Sequence, residues 1–165
     1  MKKTFFCYGG TTARSTNDKQ VLLHMISYFD HATGTVPRPR VLLNKQTDDA
    51  HDNPTLSIDD GGFIWIFSPS HGTGRPSYIH RSRKPYDIDD FELVQKGNFS
   101  YPQPWWLPGR GFLFLHTRYN SGSEGTKGVR GLHWAASEDG YHWATPQLLA
   151  NIEMGDYQIS WPNCA

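Results

Sequence analysis

The sequence predicts an all-β protein, a β-propeller of four-stranded antiparallel blades of which about three are present. Three observations carry that expectation. Short apolar or alternating runs recur along the chain, punctuated by Gly, Pro and Asp clusters. Aromatic residues are abundant, with 6 Trp, 8 Tyr and 9 Phe, and no long stretch shows helical periodicity. The strand and turn pattern also recurs at an offset of about 48 to 50 residues, the length of a four-stranded blade.

The elements follow in order. "KTFFCYG" reads as a strand and "TTARSTNDKQ" as a polar loop. "VLLHMISYFD", the turn "HATGTVPRP" and "RVLLN" complete what looks like an earlier, partial unit. "PTLSIDD" alternates, with Leu56 and Ile58 on one face and Thr55 and Ser57 on the other. Asp60-Gly61-Gly62 makes a tight turn into "FIWIFS", since glycine reaches positive φ at little cost. "SYIHRS" and "FELVQ" follow as strands. The order then repeats as "YPQPWWL", the turn "PGRG", "FLFLHTRY", "GVRGLHWAAS", the turn "EDGYHW" and "PQLLAN". A further unit opens at "DYQISWP".

Blades are therefore expected at 1–44 (partial), 45–95, 96–151 and 152–165 (start only), as one incomplete domain. Closed propellers usually have 4 to 8 blades, so the missing blades of the same propeller are expected partners. A β-sandwich with resembling hairpins is the alternative. "SEDGYHW", Ser137 to Trp143, favours the propeller. It resembles the Asp-box turn S-x-D-x-G-x-x-W, one residue shorter between Asp and Gly, in which Ser and Asp bond to backbone and Trp packs under the blade.

The 16 basic and 16 acidic residues cancel, and no basic stripe exists, so nucleic acid is not an expected partner. No apolar run approaches the ~20 residues of a membrane-spanning helix. Met1-Lys2-Lys3 starts like a signal peptide, but "TFFCYGG" is too short for its apolar core and is expected to be a strand. Cys7 and Cys164 form no metal or redox motif. Localisation is undetermined by these features.

In a propeller, loops at the starts and ends of the inner strands converge near the central channel. These loops carry His51, Asp52 and Asn53, then His71 and Arg75, in the second blade. Ser100 and Tyr101, then His116, Arg118 and Tyr119, hold the matching places in the third, and Tyr157 and Trp161 in the fourth. A hairpin's first-strand start and second-strand end are neighbours, so His51 and His71 are expected to share a site. Arginine grips carboxylates, histidine and tyrosine move protons, and aromatic faces suit sugar rings. His80, His133 and His142 are expected to pack. Asp49, His51 and His71 can approach one another, but their spacing matches no known ligand motif, so no metal or other cofactor is expected.

"DDAHDNPTLSIDDGGFIWIFSPSHG", "YIHRSRKPYDI" and "FSYPQPWWLPGRGFLFLHTRY" resemble the BNR-4 branch of sialidase-like repeat proteins, from about Lys45 to Trp161. Near that branch stand ulvan lyases with propellers of seven blades, which cleave acidic polysaccharide by β-elimination. The resemblance implies an exported carbohydrate-active propeller with His51, His71 and Tyr119 as catalytic residues. His51 and His71 match by motif, and Tyr119 and Arg118 by loop position. Asn53, Arg75, Tyr101, Arg118, Tyr157 and Trp161 are the expected substrate contacts. The competing expectations are a sialidase-type glycoside hydrolase and a non-catalytic glycan-binding propeller. Hydrolysis needs paired carboxylates or a tyrosine nucleophile, and no sialidase arginine triad is found.

Overall fold

The computed structural model describes residues 2–11, 21–71, 75–120 and 129–152. They form three open antiparallel sheets, with one short 3₁₀ turn at Ala50–Asp52. The first sheet holds β1 (Lys3–Thr11), β2 (Leu22–Asp30) and β3 (Arg40–Asn44) in that order. The second holds β4 (Thr55–Ile58), β5 (Ile64–Ser68), β6 (Ser77–Ser82) and β7 (Phe91–Gly97). The third holds β8 (Ser100–Leu107), β9 (Gly111–Asn120), β10 (Val129–Ser137) and β11 (Gln147–Ile152). Each sheet is a simple antiparallel meander, because strands consecutive in the chain are neighbours in the sheet.

The three sheets share one irregularity. The pairing of the last two strands shifts between His24 and Met25, between Ile79 and His80, and between Leu132 and His133. A bulge at the same place aligns β2, β6 and β10 with one another, so β1 corresponds to β5 and β9. The first sheet thus matches the last three strands of the other two.

β5 explains how the sheets stack. All five of its residues are buried, so "IWIFS" is a continuous apolar run rather than an alternating one. Ile64 and Ile66 face the first sheet and pack with Phe5, Ile26 and Ile88. Trp65 and Phe67 face the third and pack with Ile79, Phe99, Phe112 and Phe114. Period-two alternation therefore divides one strand between two cores. Four polar contacts cross between adjacent sheets at a separation of 49 residues: Arg40–Asp89, Ser57–Trp106, Asp60–Gly109 and Glu92–Tyr141. That separation is one period of the sequence repeat.

The turns behave as their residues dictate. Gly62 has φ +81°, and a Cβ there would sit 2.5 Å from the Tyr86 ring. In the Ser137–Trp143 turn, the Asp139 carboxylate accepts from the N–H groups of Tyr141 and His142, both at 2.8 Å. Ser137 Oγ accepts from the Gly140 N–H at 2.8 Å, and Trp143 Nε1 donates to the Gly140 carbonyl at 2.8 Å. Trp143 lies against Phe67 of the second sheet and Phe112 and Phe114 of the third.

Three expectations change. "HTRY" is not a loop, because β9 runs on to Asn120 and pairs His116 with His133 and Arg118 with Gly131. His116 is buried, its ring 4.7 Å from Phe114 and 5.9 Å from His133, so it belongs to the packing. His142 does not pack: its side chain is 90% exposed and bonds Asp139 at the turn surface. "DYQISWP", with Tyr157 and Trp161, lies outside the described residues.

Candidate active site

Between β3 and β4 the chain passes through the 3₁₀ turn Ala50–Asp52, and Asp49 caps it. The Asp49 carboxylate accepts from the His51 N–H at 3.0 Å, the local bond that an Asp side chain makes at a turn start. This fixes the backbone around His51 just before β4. His71 follows the end of β5, whose Phe67 pairs with Thr55 at the start of β4. The two histidines therefore meet at one edge of the hairpin, as the sequence spacing predicts. Their rings stack at 4.5 Å between centroids, 29° from parallel.

One carboxylate holds both rings. His51 Nδ1 lies 2.7 Å from Asp49 Oδ1, and His71 Nδ1 lies 3.0 Å from Asp49 Oδ2. Burial pushes the Asp49 carboxyl up, but the His51 N–H and the two rings together outweigh it and bring it down to about 2. Asp49 is thus an anion across the neutral pH range. Each ring is bonded to it through Nδ1, so the Nε2 edge of each lies away from the carboxylate.

Tyr101 stands against both rings, at 6.5 Å from His51 and 6.1 Å from His71, edge-on in each case. It occupies a shift in the β8–β9 pairing between Ser100 and Gln103, and its φ is +48°. A bulge with a left-handed residue re-aims one side chain, here toward the imidazoles.

Beneath the rings lies a buried charge network. Asp52 is fully buried and accepts from the His71 N–H at 2.5 Å. Arg75 donates to both Asp52 oxygens at 3.1 and 3.2 Å and approaches Asp49 Oδ2 at 3.5 Å. Lys45 Nζ, also buried, lies 3.7 Å from Asp52 and donates to Ser70 Oγ and the Pro76 carbonyl, both at 2.9 Å. Burial lowers the Lys45 pKa, and Asp52 opposes that shift. Two cations thus face two carboxylates, the arrangement that keeps buried charges tolerable. His24 adds a tie from the first sheet, its Nδ1 2.9 Å from Ser68 Oγ. Burial, with Lys45 beside it, pushes His24 down to about 3, so this histidine stays neutral.

The structure therefore gathers His51, His71, Arg75 and Tyr101 in one place. Asn53 is exposed one residue past the turn, its side chain directed at Gly9 of β1. Arg118 lines a groove of about 370 Å³ between the second and third sheets, with Gln95, Phe99, His116 and Trp143. Tyr119 pairs with Arg130 in the backbone of β9, and its side chain lies outside the described part. Asp49 was weighed only as a metal ligand beside the two histidines, and Lys45 was missing from the sequence-level site. Asp-x-His before a turn was the available signal for Asp49, whereas nothing in "LLNKQT" marks Lys45 as buried.

The donor atoms of Asp49, His51 and His71 lie within 4.8 Å of one another, a spacing that suits a metal ion. Arg75 beside the same carboxylate opposes a further cation there. The arrangement is better suited to proton transfer next to an anion-binding group.

These features define an all-β assembly with a histidine, tyrosine and arginine site at one edge of its middle sheet. Among solved structures, the chain is similar to a polysaccharide lyase PL25, an ulvan lyase, bound to -[GlcA(1-4)Rha3S]-. The identity is 20%, the TM-score 0.69, and the match covers 89% of this chain and 35% of that one. A second structure of a PL25 ulvan lyase matches with 21% identity, a TM-score of 0.69 and the same coverage. The likeness shows a shared fold, and the chain spans about a third of those proteins. No protein-family model and no curated protein matches the sequence, so kinship with BNR-4 repeats rests on the motif alone.

Proposed function

We propose that this chain is part of a propeller that cleaves an acidic, uronate-containing polysaccharide by β-elimination. In this reading the three sheets are consecutive blades, and further blades complete the propeller. The observation that carries it is the stacked His51–His71 pair, held on Asp49 and flanked by Tyr101 and Arg75. The fold shared with an ulvan lyase supports it.

Elimination at a uronate begins with loss of the proton at C5. That proton is acidic only when the neighbouring carboxylate is neutralised, because charge builds on it as an enolate. Arg75 and His71 sit deeper in the site, with side chains 36% and 24% exposed, and supply that neutralisation, His71 as an imidazolium that takes a second proton at Nε2 beside the incoming carboxylate. His51, 55% exposed, is the base that removes the proton. The electron pair forms the C4–C5 double bond, the C4–O bond breaks, and Tyr101 or Tyr119 protonates the leaving oxygen. Asn53, Arg118, Tyr157 and Trp161 are the proposed sugar contacts.

The test uses protein expressed from the complete reading frame and a panel of acidic polysaccharides that includes ulvan. Ultraviolet-absorbing unsaturated uronate is the expected product. Absence of that product across the panel overturns the reading.

A further inference from the structure

We propose that Asp49 is a positioning residue that sets both site histidines in the same tautomer, with Nδ1–H directed at its carboxylate and Nε2 left as the basic nitrogen. The proposal rests on the lyase reading only for its kinetic consequence.

The geometry carries the argument. Each Asp49 oxygen takes a different ring, Oδ1 with His51 Nδ1 at 2.7 Å and Oδ2 with His71 Nδ1 at 3.0 Å. An ionised carboxylate only accepts hydrogen bonds. A neutral imidazole bonded to it through Nδ1 must therefore carry its proton there. Two rings on one carboxylate acquire the same tautomer together, and their stacking at 4.5 Å keeps them side by side. The acceptor is itself held, since it caps the turn through the His51 N–H and meets Arg75 at 3.5 Å. A base at Nε2 that is oriented through Nδ1 is the logic of histidine in catalytic triads, here with two rings on one acid.

Asp49→Asn separates this role from a structural one. Asparagine caps helical turns about as well as aspartate, so the variant keeps the fold. Its side chain has one accepting oxygen and one donating NH₂. Only one ring then keeps Nδ1–H, and the other must turn its Nδ1 lone pair to the amide and carry its proton on Nε2. Nitrogen-15 NMR of the imidazoles reads this directly, at a pH above the titration of both rings found in the same experiment. The expected result is Nδ1–H on both His51 and His71 in the unmodified protein, and one Nε2–H ring in Asp49→Asn. In the lyase assay, kcat falls by up to about 10,000-fold with KM little changed, the scale seen when a triad aspartate becomes asparagine. Nε2–H rings in the unmodified protein, or two Nδ1–H rings in Asp49→Asn, overturn the proposal. If no polysaccharide is cleaved but the tautomers follow Asp49, the positioning role stands and the lyase reading falls.

Discussion

The molecule contains two stacked histidine pairs, and they differ in almost everything but their residue type. His51 and His71 lie at a hairpin edge, part-exposed, with Nδ1 atoms on a carboxylate. His116 and His133 lie inside the third sheet at 5.9 Å and 15°, 3% and 7% exposed, and both bond backbone carbonyls through Nδ1. Burial pushes His116 down to about 4, so it remains a neutral, flat filler beside Phe114. A carboxylate and access to solvent distinguish the first pair, the one proposed to be catalytic. Backbone carbonyls and neighbouring aromatic rings make the second pair part of a core.

Substitution separates the two pairs most sharply. His51→Ala or His71→Ala should lower kcat/KM about 100- to 10,000-fold while leaving the thermal midpoint nearly unchanged. His116→Ala should do the reverse, costing about 2–4 kcal/mol in a denaturant titration and little in kcat. Similar kinetic losses from both would erase the distinction.

The foundation of the exposed pair gives the next effect. Asp52 is buried beside the buried Lys45 and the part-exposed Arg75, and it also anchors the His71 backbone. Asp52→Ala strands the buried Lys45 charge and should destabilise by about 3–5 kcal/mol, read by thermal and denaturant unfolding. A loss below about 1 kcal/mol would mean that the network does not hold the site in place.

Acid should find His116. The folded-state pKa of His116 lies below its unfolded value of 6.5, so the unfolded chain binds the proton more readily between the two. Stability is complete above about pH 6.5 and declines as the pH falls toward about 4, by at most ~3 kcal/mol for this group. His116→Phe should flatten that slope in unfolding measurements across this window, and an unchanged slope would assign it to His24 and His80, which burial also lowers.

The smallest effect belongs to a third environment. His142 bonds Asp139 at 2.7 Å with its ring almost wholly in solvent. His142→Ala should change stability by about 0.5 kcal/mol or less and activity not at all, measured in the same assays.

Much of this contrast was legible in the sequence. The strands, their turns and the approach of His51 to His71 follow from apolar runs, glycine positions and hairpin geometry. "HTRY" misled because four consecutive polar residues look like a loop rather than the end of a strand. His116 is tolerated inside because its neutral ring bonds a backbone carbonyl, which no spacing reveals. Asp49 was visible as a neighbour that can approach the two histidines, but its bond to His71 joins positions 22 residues apart and forms only once β4 and β5 pair.

The central claim, elimination at the exposed histidine pair, is tested most directly by digestion in heavy-oxygen water with mass spectrometry of the products. Elimination breaks the C4–O bond without adding water, so unsaturated ends free of label are predicted, and their loss in His51→Ala. Saturated non-reducing ends in place of unsaturated ones would show hydrolysis and contradict the account.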